Sequence, residues 1–320
     1  EDYEESILRS PDFPTVHRNL ALAYYNVKKL PQRAYEEMEK AFALDETDAR
    51  VYLELDQLKK RLNVAVKERW SDMEKHFDLV ESRDDLYLEY VTLLNTLGEP
   101  EKALGLIKAR KFHQWEGGEG KVAAQYLTAL YQLAKAAVEK EDYAEAKELL
   151  LRAVGEYPHN LGEGKLESGQ ENNLYYLLGL VQEKLGEAKD AFESLTRACC
   201  GESEPVGMMY YNDQPPEMIY YQGLAYRMLG EEEQAVRRFQ KLVDYGREHI
   251  RDDVKIDYFA VSLPDLLIFE ENLNERNRKH CLFMMSLGLK GLGRIDEAEK
   301  CAEELLAMDN AHQEIRVHDL

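Results

Sequence analysis

The sequence has little cysteine and no long apolar run, and each absence argues against a class of protein. Four of its 320 residues are cysteine, and no Cys-x-x-Cys or zinc-type spacing occurs. This argues against a disulfide framework and against a structural zinc site. No run of about 18 apolar residues is present, so no transmembrane helix is predicted. We expect a reduced, cytoplasmic protein without a metal ion or a cofactor.

Positive charge is also scarce. The chain has 62 acidic and 41 basic residues, which gives a net charge of −21 and a pI near 4.9. Such a surface repels phosphate backbones and anionic lipid. Neither nucleic acid nor membrane is therefore expected as a partner.

Sequence motifs of known catalytic sites are missing as well. There is no His-Glu-x-x-His and no Gly-x-Ser-x-Gly segment. A Walker A loop before either Gly-Lys pair would need glycine where Trp115 and His159 stand. Among 62 acidic residues, a chance pair of carboxylates has no value as evidence for acid–base chemistry. The sequence therefore predicts a protein that is not an enzyme.

What the sequence does contain is a repeated helical hairpin, best formed at residues 219–242, IYYQGLAYRMLGEEEQAVRRFQKL. Gly223 and Ala235 are small where two helices would touch, and Phe239 is large where a gap would need filling. Gly230 follows the first helix. A hairpin of this kind cannot cover its apolar faces alone and needs similar hairpins on both sides.

The hairpin pattern resembles the tetratricopeptide repeat (TPR), and seven copies can be aligned. The second copy is assigned on helical periodicity alone. The copies begin near His17, Asp48, Tyr87, Leu130, Tyr175, Ile219 and Leu282. The resemblance implies an all-α fold, a TPR-type α-solenoid in a right-handed superhelix of about seven helix-turn-helix hairpins.

The repeat spacing is longer than in an ordinary TPR. From Ala103, equivalent alanines follow after 43, 45 and 44 residues, whereas an ordinary repeat has 34. Each of these repeats is expected to have about ten extra residues outside its two helices. A further insertion is predicted at residues 246–274.

We expect one solenoid domain over residues 1–320. Residues 1–10 are interpreted as the tail of a truncated repeat, because Pro11 falls at the position that closes a preceding copy. The segment after Met308 has no clear polar capping helix, and we expect it to fray or to lead onward.

In the last four copies, one position of the first helix places an aromatic residue on the concave side of the array. Polar residues lie at neighbouring concave positions. The aromatic residues are Tyr131, Tyr176, Tyr220 and Phe283, and the polar ones include Asn173, Arg227 and His280. Such a stripe suits a peptide or a sugar ring, but the rings could equally fill contacts between neighbouring repeats.

Two loops share the segment Gly-Glu-Gly-Lys, 44 residues apart, at 118–121 and 162–165. Consecutive glycines let backbone N–H groups form a nest for an anion, and Lys121 and Lys165 would add positive charge. The alternative, which we favour, is that the glycines only form turns. Trp115 precedes the first loop. The insertion Asp257–His280 is expected to cover the groove as a lid or to brace the last repeat against the sixth.

Several strings are more specific than the repeat pattern. KFHQWEGGEGKV, YPHNLGEGKL and KIDYFAVSLPDLLIFEENLNERNRKHC resemble the C-terminal TPR half of large bacterial proteins. In that family the N-terminal half is a β-rich domain of unknown function, and the genes often lie in a carbohydrate-utilisation setting. The resemblance implies no catalytic residues.

Two functions follow as hypotheses. The first is a non-enzymatic interaction scaffold that binds a peptide or a partner domain in the concave groove, including the β-rich domain of the same parent protein. The second is a carbohydrate-associated domain in which the loops around Trp115, Gly118 and Gly162 help to form a sugar site. Convergence of these loops and the insertion on one pocket would favour the second hypothesis.

Overall fold

The computed structural model describes residues 5, 10–115, 117–165, 170–207, 213–255 and 268–318. These residues form α-helices and one short 3₁₀ turn, with no strand among them. The helices are α1 Pro14–Asn26, α2 Pro31–Leu44, α3 Ala49–Arg61, α4 Val66–Lys75, α5 Phe77–Ser82, α6 Asp84–Thr96, α7 Pro100–Ala109, α8 Lys121–Glu139, α9 Tyr143–Val154, α10 Asn172–Lys184, α11 Ala188–Ala198, α12 Pro216–Met228, α13 Glu232–His249, α14 Leu273–Gly291, α15 Ile295–Met308 and α16 Gln313–His318.

Fourteen of these helices pair into seven hairpins. The pairs are α1/α2, α3/α4, α6/α7, α8/α9, α10/α11, α12/α13 and α14/α15. Each hairpin packs on the next, and the main buried apolar cluster of the described chain extends from Ala21 to Val317. The predicted all-α hairpin array is confirmed, including the second copy that was assigned on periodicity alone.

The sixth hairpin shows how small residues allow close packing. Phe239 is fully buried, and a Cβ atom added to Gly223 would lie 2.4 Å from its ring. A Cβ atom at Gly291 of the next hairpin would lie 2.2 Å from the same ring. One phenyl ring therefore fills the space between three helices. Gly230 has φ of 82° at the turn, a conformation that glycine adopts without strain.

The long spacing has two sources, one of which differs from the prediction. The segments between α7 and α8 and between α9 and α10 separate successive hairpins, as expected. However, α8 has 19 residues and α13 has 18, against 13 in α10 and α12. The extra length of α8 falls in the step from Ala103 to Ala146, so for that step the prediction that the extra residues lie outside the helices is wrong in part. The extra length of α13 follows Ala235 and lies outside the three predicted steps. The apolar stripe of α8 begins already at Val122 and Tyr126, which are buried, so the helix starts early.

The second hairpin is joined to the third by buried charge. The Arg69 guanidinium donates to both carboxylate oxygens of Asp56, at 2.9 and 2.6 Å, and to Glu89 at 2.7 Å. The Arg69 side chain has no exposed area. A buried cation is tolerated only when it is paired in this way. The pairing helps to explain why this copy lacks the apolar consensus.

The insertion before the last hairpin packs against the first hairpin. Phe269 is fully buried, and its ring meets Tyr25 edge-on at 5.1 Å. Asn26 donates to the carbonyl of Ile268 and accepts from the Glu270 N–H group. The described part of this segment thus braces the two ends of the array, a contact that neither predicted role included. Residues 257–267, with Asp257 and Asp265, lie outside the described residues.

The segment after Met308 differs from its prediction. It turns back and forms α16, with Ile315 and Val317 buried. The turn is fixed by Asn310, whose N–H group donates to the Asn63 side chain at 2.8 Å and whose side chain accepts from the Val66 N–H group at 3.1 Å. The prediction that this segment frays is wrong, because side-chain amides from the second hairpin hold it.

We predict that Gly223→Leu lowers the free energy of unfolding by about 1–3 kcal/mol, because the new side chain overlaps the Phe239 ring. Thermal unfolding followed by circular dichroism measures the change. Gly105→Ala is the matched control, since Gly105 is helical and has open space at its Cβ position. The control should be more stable by about 0.5–1 kcal/mol. A wild-type melting temperature in Gly223→Leu would contradict the packing described.

Candidate functional site

The first helices of the later hairpins contact one another and form the inner side of the array. Successive contacts join α6 to α8, α10 to α12 and α12 to α14. The surface they share is called the groove below. Three of the four aromatic residues predicted for a concave stripe come together here, while Phe283 lies apart and contacts His312 at 5.2 Å.

A cluster of rings forms the centre of the groove. The hydroxyl groups of Tyr131 and Tyr221 share a hydrogen bond of 2.6 Å. The Tyr221 ring is 5.5 Å from Tyr176 and 5.4 Å from Tyr220. The His318 ring of α16 lies 5.5 Å from both Tyr131 and Tyr221. We call these five residues the tyrosine cluster.

The predicted aromatic residues differ in accessibility. Only 3% of the surface of Tyr131, 6% of that of Tyr220 and 3% of that of Phe283 is exposed to solvent. Tyr176 is half-buried. In this conformation Tyr176 is the stripe residue with most surface to offer a ligand, because α16 and neighbouring helices cover the others.

The α16 segment is held in the groove mainly by polar contacts. The Gln313 amide donates to the Thr92 carbonyl, at 3.2 Å, and exchanges hydrogen bonds with the Gln125 side chain at 2.9 and 3.1 Å. The Lys135 ammonium donates to the Val317 carbonyl at 2.9 Å. The groove therefore binds a peptide segment, and that segment belongs to the same chain.

The predicted polar residues have separate positions. His280 is half-buried and donates to the Val206 carbonyl at 2.8 Å. Burial lowers the pKa of His280 to about 4. Arg227 pairs with Glu232 at 2.8 Å and donates to the Gly291 carbonyl. Asn173 is half-buried. His280 and Arg227 thus have structural partners already, and their role toward a ligand stays a prediction.

Sequence reasoning missed residues that matter in the groove. Tyr221 was passed over beside Tyr220, although it is the residue that joins the tyrosine cluster. Lys135 and Gln125 are polar residues on helix α8, most of whose residues are apolar, and that contrast was an available signal. No sequence signal pointed to Gln313, because its partners Gln125 and Thr92 lie 188 and 221 positions away in the sequence.

Glu217 is a buried acid at the edge of the groove. It lies on α12, and only 8% of its surface is exposed to solvent. Burial, and then the negative charge of Glu314 on α16, raises the pKa of Glu217 to about 8. At neutral pH the carboxyl group is therefore mostly protonated. Its ionisation would oppose the docking of α16.

A second feature is an open cavity of about 350 Å³ between two loops. The Trp115 ring lies against Gly118, where an added Cβ atom would be 2.3 Å from the indole. Asp84 fixes the first loop by accepting from Arg110 and from the His113 N–H group. The lining residues include His113, Gln114, Trp115, Glu119, Val122 and Glu163.

The favoured prediction, that the glycines of the two loops form turns, agrees with the positive φ of Gly120 and Gly162 and with the start of α8 at Lys121. The N–H groups at the first turn are also occupied by an anion of the chain itself. The Glu163 carboxylate accepts from the Gly120 N–H group at 2.7 Å and from the Ala123 N–H group at 2.8 Å. These groups open helix α8, whose positive dipole end favours a carboxylate. The two Gly-Glu-Gly-Lys loops therefore join each other through Glu163.

The two predicted lysines are not among the residues that line this cavity. Lys165 pairs with Glu171 at 2.7 Å and donates to the Val154 carbonyl. The Lys121 N–H group donates to the Gly118 carbonyl. Trp115 and both loops thus converge on one cavity, whereas the described part of the insertion packs against the first hairpin.

Neither a metal site nor a membrane-spanning helix is found within the described ranges. No group of three or more His, Cys, Asp or Glu side chains there is arranged to hold a metal ion. No helix there is both long and apolar enough to cross a bilayer. The four cysteines are free thiols.

Comparison with known families agrees with the hairpin geometry. One tetratricopeptide repeat family model matches residues 131–205, and another matches residues 217–245. The chain contains tetratricopeptide repeats. The two matched segments cover hairpins four to six, where the Gly, Ala, Tyr and Phe positions follow the repeat pattern most closely. They also contain four of the five residues of the tyrosine cluster.

The chain is also similar to solved structures. It is 13% identical to PilW, a type IV pilus biogenesis factor, with a TM-score of 0.38 over 72% of this chain and 92% of that one. It is 17% identical to the TPR domain of P58(IPK), with a TM-score of 0.34 over 95% and 76% of the two chains. A third similar structure is MamA, at 19% identity and a TM-score of 0.24 over 67% and 91%. These similarities are too distant to transfer a function.

The burial of Glu217 in the sixth repeat leads to a prediction about how the stability of the fold depends on pH. Because the folded pKa is near 8 and the model-compound value is 4.5, ionisation costs stability as pH rises between these values. Glu217→Gln removes that cost. We compare the unfolding free energy of Glu217→Gln with that of the wild type at each pH. The difference in favour of the variant should be smallest near pH 4.5 and larger by about 1–3 kcal/mol above pH 8.

Chemical denaturation at pH 4.5, 6.5 and 8.5 measures this difference. Glu299→Gln on the exposed side of α15 is the matched control and should show no such trend. A stability difference between Glu217→Gln and wild type that does not change with pH would mean that Glu217 ionises freely in the folded protein.

Proposed function

We propose that this chain is a non-enzymatic interaction scaffold whose groove binds a peptide segment of a partner. Tetratricopeptide repeats support an interaction role in general, and the groove supports the specific site. The observation that carries the proposal is the docked helix α16. Its backbone carbonyl at Val317 is bound by Lys135, and its His318 ring lies against two tyrosines.

The chemistry of the groove suits a peptide. Aromatic faces bury area at a low cost in side-chain entropy, and amide and ammonium groups at Gln125 and Lys135 bind backbone or side-chain oxygens. Tyr176 lies beside Tyr221 and keeps part of its surface accessible. We therefore infer that Tyr176 contacts the partner, with Tyr131 and Tyr220 supporting it from below.

A second candidate function is favoured by the cavity at Trp115. An indole face beside the Glu119 and Glu163 carboxylates and the Gln114 amide is an arrangement that suits a sugar, because the ring stacks and the polar groups accept from hydroxyls. The convergence of both Gly-Glu-Gly-Lys loops supports this reading. Such a site would act together with a partner domain, because the cavity is open to solvent on one side.

One screen tests both candidates. The full chain is panned against a random peptide library and, in parallel, against a glycan array. Selected peptides should lose at least tenfold in affinity with Tyr176→Ala. Phe192→Ala is the matched control, because Phe192 is an aromatic residue on the second helix of the same hairpin and is 63% exposed. Equal losses in both variants, or none in either, would contradict the groove assignment.

The glycan arm has its own spectroscopic reporter. The chain has two tryptophans, Trp70 and Trp115, and Trp70 is part-buried against the core. A bound glycan should change the fluorescence of the wild type and of a Trp70→Phe variant, but not of Trp115→Phe. A fluorescence change that persists in Trp115→Phe would place the glycan elsewhere.

A further inference from the structure

Helix α16 reaches hairpins that are distant in sequence. Gln313 contacts Thr92 on α6 and Gln125 on α8. The His318 ring nitrogen and the Tyr221 hydroxyl group on α12 share a hydrogen bond of 3.1 Å. These contacts span the first helices of three repeats. The helix therefore lies along the surface where a partner peptide is proposed to bind.

Few contacts attach α16 to the groove. The helix has six residues, and its buried apolar side chains are Ile315 and Val317. The remaining contacts are the packing of the His318 ring against Tyr131 and Tyr221 and hydrogen bonds that water or another peptide can replace. Glu314 of α16 also lies near the buried Glu217, so the two carboxylates repel each other once Glu217 ionises. A short helix held in this way forms a local unit that opens more readily than the core.

The turn before α16 is held more firmly than α16 itself. Asn310 donates to Asn63 through its backbone N–H group and its side-chain amide, and its side-chain oxygen accepts from the Val66 N–H group. The Asn310 carbonyl also accepts from Arg316. If α16 leaves the groove, this turn keeps it nearby. A tethered segment competes at a high effective concentration.

We propose that α16 is an intramolecular competitor for the partner of the groove, and that the partner peptide imitates its chemistry. The imitated features are a side-chain amide that binds Gln125 and, five positions later, an imidazole or phenol ring between Tyr131 and Tyr221. A backbone carbonyl before that ring would bind Lys135. This inference rests on the proposed groove function and names the class of peptide.

The chain's own sequence supplies the probe. A fluorescent peptide of residues 309–320 is titrated with the wild-type chain and with a full-length Gln313→Ala/His318→Ala variant, whose α16 is weakened. Anisotropy should show at least tenfold tighter binding to the variant, because its groove is less occupied. Glu299→Ala on α15 is the control and should bind like the wild type. Equal binding to variant and wild type would overturn the proposal.

A second peptide tests whether the ring and the amide are recognised. The same peptide with alanine at the positions of Gln313 and His318 should bind the weakened variant at least tenfold more weakly than the native peptide. Equal affinity of both peptides would mean that the contacts seen in the structure do not select the occupant, which also contradicts the proposal.

Hydrogen exchange on the wild-type chain keeps the test independent of variant stability. The amides of residues 313–318 should exchange at least tenfold faster than those of residues 282–289 in α14, and unlabelled peptide should accelerate them further. Exchange as slow as in α14 would make α16 a permanent part of the core and end the proposal.

Failure of the scaffold function gives a different result. If library peptides bind the groove but the 309–320 peptide does not displace them, the competitor role is wrong and the scaffold stands. If the 309–320 peptide binds the weakened variant and no library peptide does, α16 closes the groove and the scaffold function is wrong.

Discussion

A two-helix hairpin of this chain has apolar side chains on both broad faces and can cover neither by itself, and this constraint governs the structure. Neighbouring hairpins supply the cover, which requires small residues where backbones approach. Phe239 illustrates the requirement, because its ring occupies space that a side chain at Gly223 or Gly291 would need. In the second hairpin the Arg69 ion pairs add to the apolar packing and join this hairpin to the third.

The same constraint explains what happens at the ends of the array and along its inner side. The ends of a stacked array have no neighbour of their own kind. In this chain Phe269 packs against Tyr25 of the first hairpin, and α16 turns into the groove to cover the tyrosine cluster. Covering an inner surface with a short polar helix leaves a site that another peptide of similar chemistry can take. The interaction role and the internal competition are therefore consequences of one packing problem.

The sequence predicted what depends on local pattern and missed what depends on distant pairing. The positions of Gly223, Ala235 and Phe239 fix a hairpin because all three act within 17 residues. Counting along the first helices named three of the rings that meet in the tyrosine cluster, Tyr131, Tyr176 and Tyr220. Helix α16 was missed because six residues give no usable periodicity and its partners lie in α6, α8 and α12. Glu163 was missed for a similar reason: the Gly120 N–H group from which it accepts lies 43 residues earlier, so the two loops were interpreted as separate motifs.

The most direct test of the account is the titration of His318 by NMR. Burial, and then the positive charge of Lys135, lowers the pKa of His318 to about 3 when α16 lies in the groove. Its imidazole resonances, assigned by comparison with a His318→Gln variant, should therefore stay constant between pH 5 and 8. A titration with a pKa near the unperturbed value of about 6.5 would show that α16 is free in solution and would contradict the occupied groove on which the account depends.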